Sequence, residues 1–250
     1  MKIIWLSANK LGYELLKEAV KLDGFDLKAI VTLSSKAKTI MYDGIPIRKW
    51  RKFKVETYEL EDINEEKNLI KQLSPELIVI CGWRQIIKED IIVIPSYGAI
   101  GFHPTLLPFG RGPNPIINTI MQDLRESGLT MYYVGKGLDD GDIIAQAKFK
   151  ITEMDHAGDV YKKIVRAGKK LIRENFPSVI QGKASGIPQD NSRVVLFEKQ
   201  YLDNNKIDME RESIESIYRK IKALSKPYRG AFIEKDRKRL IIWKAELQDI

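Results

Sequence analysis

Ser74-Pro75-Glu76-Leu77-Ile78-Val79-Ile80-Cys81 is the stretch whose reading decides the fold. Ser74-Pro75 stops the helix-spaced pattern of Asn64–Leu73, and Leu77–Cys81 is a short, mostly β-branched apolar run with no polar alternation, the pattern of a strand buried on both faces. Outward toward the N-terminus lie a strand at Leu27–Leu33 and short extended pieces at Ile45–Ile47 and Val55–Tyr58. Before them come a helix over Lys10–Leu22, with Leu11, Leu15, Leu16 and Ala19 on one face, and a strand at Lys2–Leu6. Outward in the other direction, Ile86–Ile94 reads as a short helix ended before Pro95, and Gly98–Phe102 as another strand. Strands alternating with helices imply βαβ units, hence an α/β protein with a twisted, mostly parallel sheet.

The pattern continues with a helix at Asn114–Asp123, strands at Gly128–Val134 and Asp142–Lys150, and an amphipathic helix over Val160–Phe176. The composition then breaks. Gln181–Ser192 is rich in Gly, Pro, Ser and Gln and reads as a linker. Beyond it, Val194–Phe197 and Leu240–Ala245 read as strands and Ile214–Leu224 as a helix. The expected organisation is a catalytic domain over 1–180, a linker over 181–192 and a small C-terminal subdomain over 193–250.

Composition narrows the function classes. Of the 250 residues, 44% are hydrophobic and 30% charged, ordinary for a globular protein. Apolar runs are strand-length and the N-terminus turns polar at Ser7-Ala8-Asn9-Lys10, which argues against a membrane span or signal peptide and for a cytoplasmic protein. Cys81 is the single cysteine, so neither a disulfide framework nor a cysteine metal cluster is expected. The net charge of +8 raises the question of nucleic acid, but 14 Lys and Arg against 10 Asp and Glu from residue 191 onward leave half of that excess in each part of the chain. No block of like charge appears, the pattern of solvated surfaces or of a groove for phosphate-bearing substrates.

The chemistry concentrates in the middle. His103 ends the strand in Gly98-Ala99-Ile100-Gly101-Phe102-His103-Pro104-Thr105-Leu106-Leu107-Pro108, and ligands of open α/β sheets bind at the carboxyl ends of strands. Gly110-Arg111-Gly112-Pro113-Asn114-Pro115 is a glycine-rich loop opening a helix, with backbone N–H groups to offer. Gly137-Leu138-Asp139-Asp140-Gly141-Asp142-Ile143-Ile144 is an acidic turn between two strands. Histidine and carboxylate are the usual parts for moving a proton at neutral pH, although a hydrogen-bonded structural histidine is the alternative on position alone. His156, just before the long helix, fits a cap, and Cys81 fits the core.

His103–Gly112 followed by Leu138–Ile144 resembles the folate-dependent formyltransferases, whose motif is N-x-H-x-S/T-L-L-P with an L-D-x-G segment downstream. In the tail, Ile187–Asp190, Lys206–Asp208 and Ile221–Phe232 are similar to the linker and C-terminal subdomain of the tRNA and sugar enzymes. The resemblance covers about residues 70–245. It implies a Rossmann-like formyltransferase fold, 10-formyltetrahydrofolate as co-substrate, no metal, His103 as the active-site histidine and Asp139 as its carboxylate partner. It further implies that the pterin is held by the loop after Leu77–Cys81, here Trp83, Arg84, Gln85 and Ile86, and by Leu138, Asp140, Gly141 and Asp142. An amine attacks the formyl carbon, His103 takes the proton, and fixed donors stabilise the developing oxyanion.

The resemblance breaks at Gly101, where the family carries an asparagine that donates to the formyl oxygen. Asn114 or Asn9 is expected to supply that amide, or else a backbone N–H bared by Gly101. A folate-binding protein with weak or no transfer activity is the other outcome. The tail resembles only part of the tRNA enzymes' C-terminal barrel, so a nucleotide-linked amino sugar is the expected acceptor. Asn9, Thr105, Arg111 and Gly112 would line its site, with Arg111 near a diphosphate. A tRNA acceptor and a homodimer are left open.

Overall fold

The strand Lys2–Leu6 (β1) shows why this sequence folds as it does. Ile3 and Trp5 point to one face of the sheet and Ile4 and Leu6 to the other, and all four are fully buried. A computed structural model describes residues 1–200 and 205–248. In it β1 is followed by α1 (Lys10–Ala19), β2 (Asp26–Leu33), α2 (Ile47–Trp50), β3 (Glu56–Leu60), α3 (Lys67–Leu73), β4 (Leu77–Cys81), α4 (Glu89–Ile92) and β5 (Ala99–His103). Then come β6 (Phe109–Arg111), α5 (Pro115–Met121), β7 (Glu126–Tyr133), β8 (Ile143–Lys150) and α6 (Ala157–Ile180). The tail holds β9 (Val195–Leu196), α7 (Ile214–Ala223), β10 (Ala231–Lys235) and β11 (Lys238–Ile242).

The main sheet has seven strands in the order β3-β2-β1-β4-β5-β7-β8. It is parallel from β3 to β5 and antiparallel at β5–β7 and β7–β8. One face packs on α1 and α6 through Ile3, Trp5, Leu15, Leu16, Val79, Leu171 and Phe176. The other is covered through Ile4, Leu6, Val31, Ile63, Ile70, Ile78 and Ile91. Full burial of each such aliphatic side chain contributes roughly 1.5–3 kcal/mol, which is why the central strands carry no polar alternation. Cys81 belongs to the first cluster, and burial pushes its thiol pKa up.

Several element boundaries differ from the sequence reading. The expected helix over Ile86–Ile94 is only Glu89–Ile92, because Gln85 and Ile86 are bonded into an irregular loop against Glu61 and Asn64. Ile47 starts a helical turn and is not extended. The strand expected at Leu240–Ala245 is Lys238–Ile242, and it pairs with Ala231–Lys235, which the sequence reading missed. The hairpin turn there is Asp236-Arg237, both at positive φ (50° and 58°), and without glycine it carries no obvious turn signal. His156 is the N-cap of α6, its N–H donating to Asp159 at 3.3 Å.

The tail lies against this scaffold. α7 packs on α5, and Ile217, Ile221 and Leu224 join the first core cluster. Ala157 N–H donates to Ser225 Oγ at 3.1 Å and Lys222 Nζ to the Glu153 carbonyl at 2.9 Å. β9 pairs in parallel with β6, so residues beyond Gln181–Ser192 brace the loop that follows His103.

Candidate active site

β1, β4 and β5 are parallel neighbours, so the loops starting at Ser7 and Gly82 and the segment after His103 leave the same edge of the sheet. His103, the last residue of β5, is 7% exposed. Its Nε2 lies 2.8 Å from the Gly110 carbonyl oxygen, and because a carbonyl only accepts, that nitrogen carries a proton. Nδ1 is 3.4 Å from Asp139 Oδ2, longer than a direct hydrogen bond. Thr105, also buried, donates to the same Gly110 carbonyl at 3.3 Å.

Asp139 reaches this position by a detour. β7 is antiparallel to β5, with Tyr133 opposite Ile100, so the acidic turn leaves the sheet beside Ile100 and folds back toward His103. Asp139 sits at φ 50° within it. Its Oδ2 accepts from Gly112 N–H at 2.9 Å and its Oδ1 from the Tyr132 hydroxyl at 2.7 Å. Among the described residues, Asp139 forms no ion pair with lysine or arginine. Gly112, at φ 102°, adopts a conformation that side chains disfavour, and this turns its N–H toward the carboxylate.

The turn is held by a residue from the expected linker. Gln189 donates to the carbonyls of Asp139 and Gly141 at 2.8 and 2.7 Å, and its Oε1 accepts from Arg111 Nε and Nη2 at 3.0 and 2.8 Å. Arg111, expected near a diphosphate, is 8% exposed and directs these donors at Gln189 and at Asn191 Oδ1. Asp140 closes its own turn by accepting from Gly137 N–H at 3.1 Å, and the Asp142 carbonyl accepts from Tyr133 N–H at 2.9 Å.

The two asparagines expected near the reacting group each commit their side-chain oxygen to a backbone N–H. Asn9 caps α1, its Oδ1 accepting from Gly12 N–H at 3.1 Å, and its amide lies against Gly82. Asn114 sits at φ 55° before α5, its Oδ1 accepting from Gln200 N–H at 3.0 Å. The space beside Gly101 is filled: a Cβ there would lie 2.7–2.9 Å from the ring and hydroxyl of Tyr132, the residue opposite it on β7. Tyr132 and Gln189 are thus the polar residues of the site that sequence reasoning did not single out. The departure at Gly101 was the signal for the first, but only the β5–β7 register says which residue faces it.

In the loop after β4, Trp83 is half-buried with an unpartnered indole N–H, Arg84 lies 3.5 Å from Asp43, and Gln85 bonds to Glu61 and Ile63. Ile86 and Leu138 are 84% and 54% exposed. No helix among the described residues is long and apolar enough to cross a membrane, and no group of three or more His, Cys, Asp or Glu there could hold a metal ion.

Comparison with known proteins identifies the family. The Formyl transferase family model matches residues 1–176, and that of the Formyl transferase C-terminal domain matches residues 202–250. The chain is 30% identical to the bifunctional polymyxin resistance protein ArnA of Wigglesworthia glossinidia brevipalpis over 99% of its own length and 38% of that protein. It is also 30% identical to the methionyl-tRNA formyltransferase of Halalkalibacterium halodurans, over 98% of this chain and 78% of the relative. Its fold matches that of a sugar N-formyltransferase from a Shewanella species with a TM-score of 0.78 at 18% identity, covering 100% of this chain and 99% of the other. A strand-end histidine facing a clamped aspartate stands in a sequence matched in order by both parts of one family, and the chain belongs to the folate-dependent formyltransferases.

Proposed function

We propose that this chain transfers the formyl group of 10-formyltetrahydrofolate to the primary amine of a nucleotide-linked amino sugar. The observation that carries the reaction class is the His103–Asp139 arrangement, a buried imidazole facing a carboxylate with a 3.4 Å separation at Nδ1. The family's donor supplies an activated formyl carbon. With Nε2–H committed to the Gly110 carbonyl, the lone pair of the neutral ring is on Nδ1. The amine bonds to the formyl carbon, its proton is taken at Nδ1, and the imidazolium meets Asp139 in a charge-assisted pair. The bond from that carbon to N10 of the folate then breaks, N10 takes the proton back, and tetrahydrofolate leaves with His103 neutral again. Gly112 N–H and Tyr132 hold the carboxylate in place for that event.

The loop after β4 and the acidic turn suit a flat heterocycle. Ile86 and Leu138 offer exposed apolar faces, and the Trp83 indole N–H is a buried donor without a partner. Trp83, Ile86 and Leu138 are the residues that would hold the pterin.

For the acceptor, the end-to-end likeness to a sugar N-formyltransferase supports the sugar reading. A methionyl-tRNA acceptor is the second reading, favoured by the relative that is 30% identical over 98% of this chain. Turnover of 10-formyltetrahydrofolate against a panel of nucleotide-linked amino sugars, with initiator methionyl-tRNA as comparator, decides between them. Amine-dependent turnover with a sugar nucleotide is expected; turnover with tRNA alone replaces the first reading with the second.

A further inference from the structure

We propose that Tyr132 is a positioning residue for the His103–Asp139 pair, and that Gly101 is glycine because Tyr132 occupies the space a side chain there would need. The proposal rests on the formyl-transfer reading for its kinetic consequences and on geometry for its substance. Gly101 and Tyr132 are direct partners across the antiparallel β5–β7 ladder, so their side-chain positions share one face of the sheet. A Cβ at 101 would lie 2.7 Å from Tyr132 Cε1, 2.8 Å from Cζ and 2.9 Å from the hydroxyl oxygen. Those atoms belong to a rigid ring that is itself 7% exposed, so it has little room to swing aside.

The hydroxyl at the end of that ring has a specific partner. It donates to Asp139 Oδ1 at 2.7 Å, while Oδ2 accepts from Gly112 N–H at 2.9 Å and faces His103 Nδ1 at 3.4 Å. The two oxygens are gripped from different sides, which fixes the rotation of the carboxylate and therefore the oxygen that His103 meets. Burial, followed by the neighbouring Asp139 charge, holds the Tyr132 phenol pKa well above its ordinary value, so the group remains a donor throughout the range in which proteins work. A phenol reaching across from the neighbouring strand thus provides a polar group at the site in a chain whose own residue 101 has no side chain.

Tyr132→Phe keeps the ring and removes the hydroxyl. It should lower kcat about 10- to 100-fold, the range for one hydrogen bond to a charged group, with KM for both substrates within about threefold of wild type. Gly101→Asn should be severely impaired in wild-type background, and adding Tyr132→Val should restore part of the loss, a non-additivity that direct contact produces. A readout independent of turnover is available because the chain holds two histidines. The imidazole resonances of His103, assigned with His156→Gln, should move in Tyr132→Phe. If wild type transfers formyl but Tyr132→Phe stays within about twofold of it, or if the His103 resonances do not move, the proposal is overturned. If they move while wild type transfers to no amine, the positioning role stands and the formyl-transfer reading falls.

Discussion

Asp139 and Asp43 each accept a hydrogen bond from the hydroxyl of a buried tyrosine, Tyr132 in one case and Tyr161 in the other. Their remaining partners differ. Asp43 has an arginine: Arg84 Nη2 lies 3.5 Å from Oδ1. The Tyr161 oxygen in turn accepts from Leu11 N–H at 2.8 Å, and the Asp43 carbonyl accepts from Lys10 N–H at 2.9 Å. That cluster ties the start of α1, the N-terminal turns of α6 and the loop after β4 into one body. Asp139 has a histidine and a backbone N–H in place of a guanidinium. A carboxylate opposite arginine has a partner whose charge is permanent, while one opposite histidine can see that charge come and go. The same tyrosine–aspartate unit therefore fastens one region and, in the reaction proposed above, faces the proton-accepting histidine in the other.

The largest expected effect separates the two directly. His103→Ala and Asp139→Ala should each cut formyl transfer by at least about 100-fold in a protein that still folds, the magnitude of a positioned acid–base group. Wild-type turnover in either variant would remove the distinction. Tyr161→Phe should do the reverse, lowering unfolding free energy by about 1.5–3 kcal/mol through loss of a hydrogen bond to a buried carboxylate while turnover per folded molecule changes less than about threefold. Urea titration alongside steady-state kinetics reads both quantities.

A smaller effect tests how the turn is held. Gln189→Ala strips one partner from the Asp139 and Gly141 carbonyls and from Arg111. Loosening a scaffold that leaves the reacting groups themselves intact should lower kcat about 3- to 10-fold, equivalent to roughly 1 kcal/mol. An unchanged kcat would show that the turn is self-supporting.

The smallest effect is on the pH dependence of stability. Burial raises the pKa of both Tyr132 and Tyr161, whereas an unfolded tyrosine ionises near pH 10. Above that pH the unfolded chain sheds protons that the folded chain retains, so this contribution is fully present below about pH 10 and is lost as pH rises, by at most about 1.4 kcal/mol per pH unit per tyrosine. Denaturation between pH 8 and 10.5 should show the decline beginning near the top of that range, and it should be shallower in Tyr161→Phe.

What could be read from the sequence was what depends on neighbours along the chain. The β-branched run at Leu77–Cys81, the period of Lys10–Leu22 and the placement of His103 at a strand end are local facts, and the structure holds all of them, the helix ending at Ala19. The harder part was pairing. That Tyr132 lies opposite Gly101 depends on β7 running antiparallel to β5, a choice made by contacts some 30 residues apart in the chain. Gln189 sits in a stretch whose Gly, Pro and Ser content marks a connection, and nothing local shows that its amide will be buried at 9% exposure against the acidic turn. The Asp236-Arg237 turn hid a hairpin for the same reason, since its positive φ values are imposed by the pairing of β10 with β11.

The Gln189 clamp also sets an order of events during synthesis. A nascent chain has every strand of the seven-stranded sheet once Lys150 has emerged, and its longest helix once Ile180 has emerged. The turn carrying Asp139 lacks its fastening until nine residues more have followed. The sheet is therefore able to form on the ribosome before the turn has its last clamp. A chain stalled between those points would be folded in outline, its Asp139 held by Tyr132 and Gly112 but not yet by Gln189.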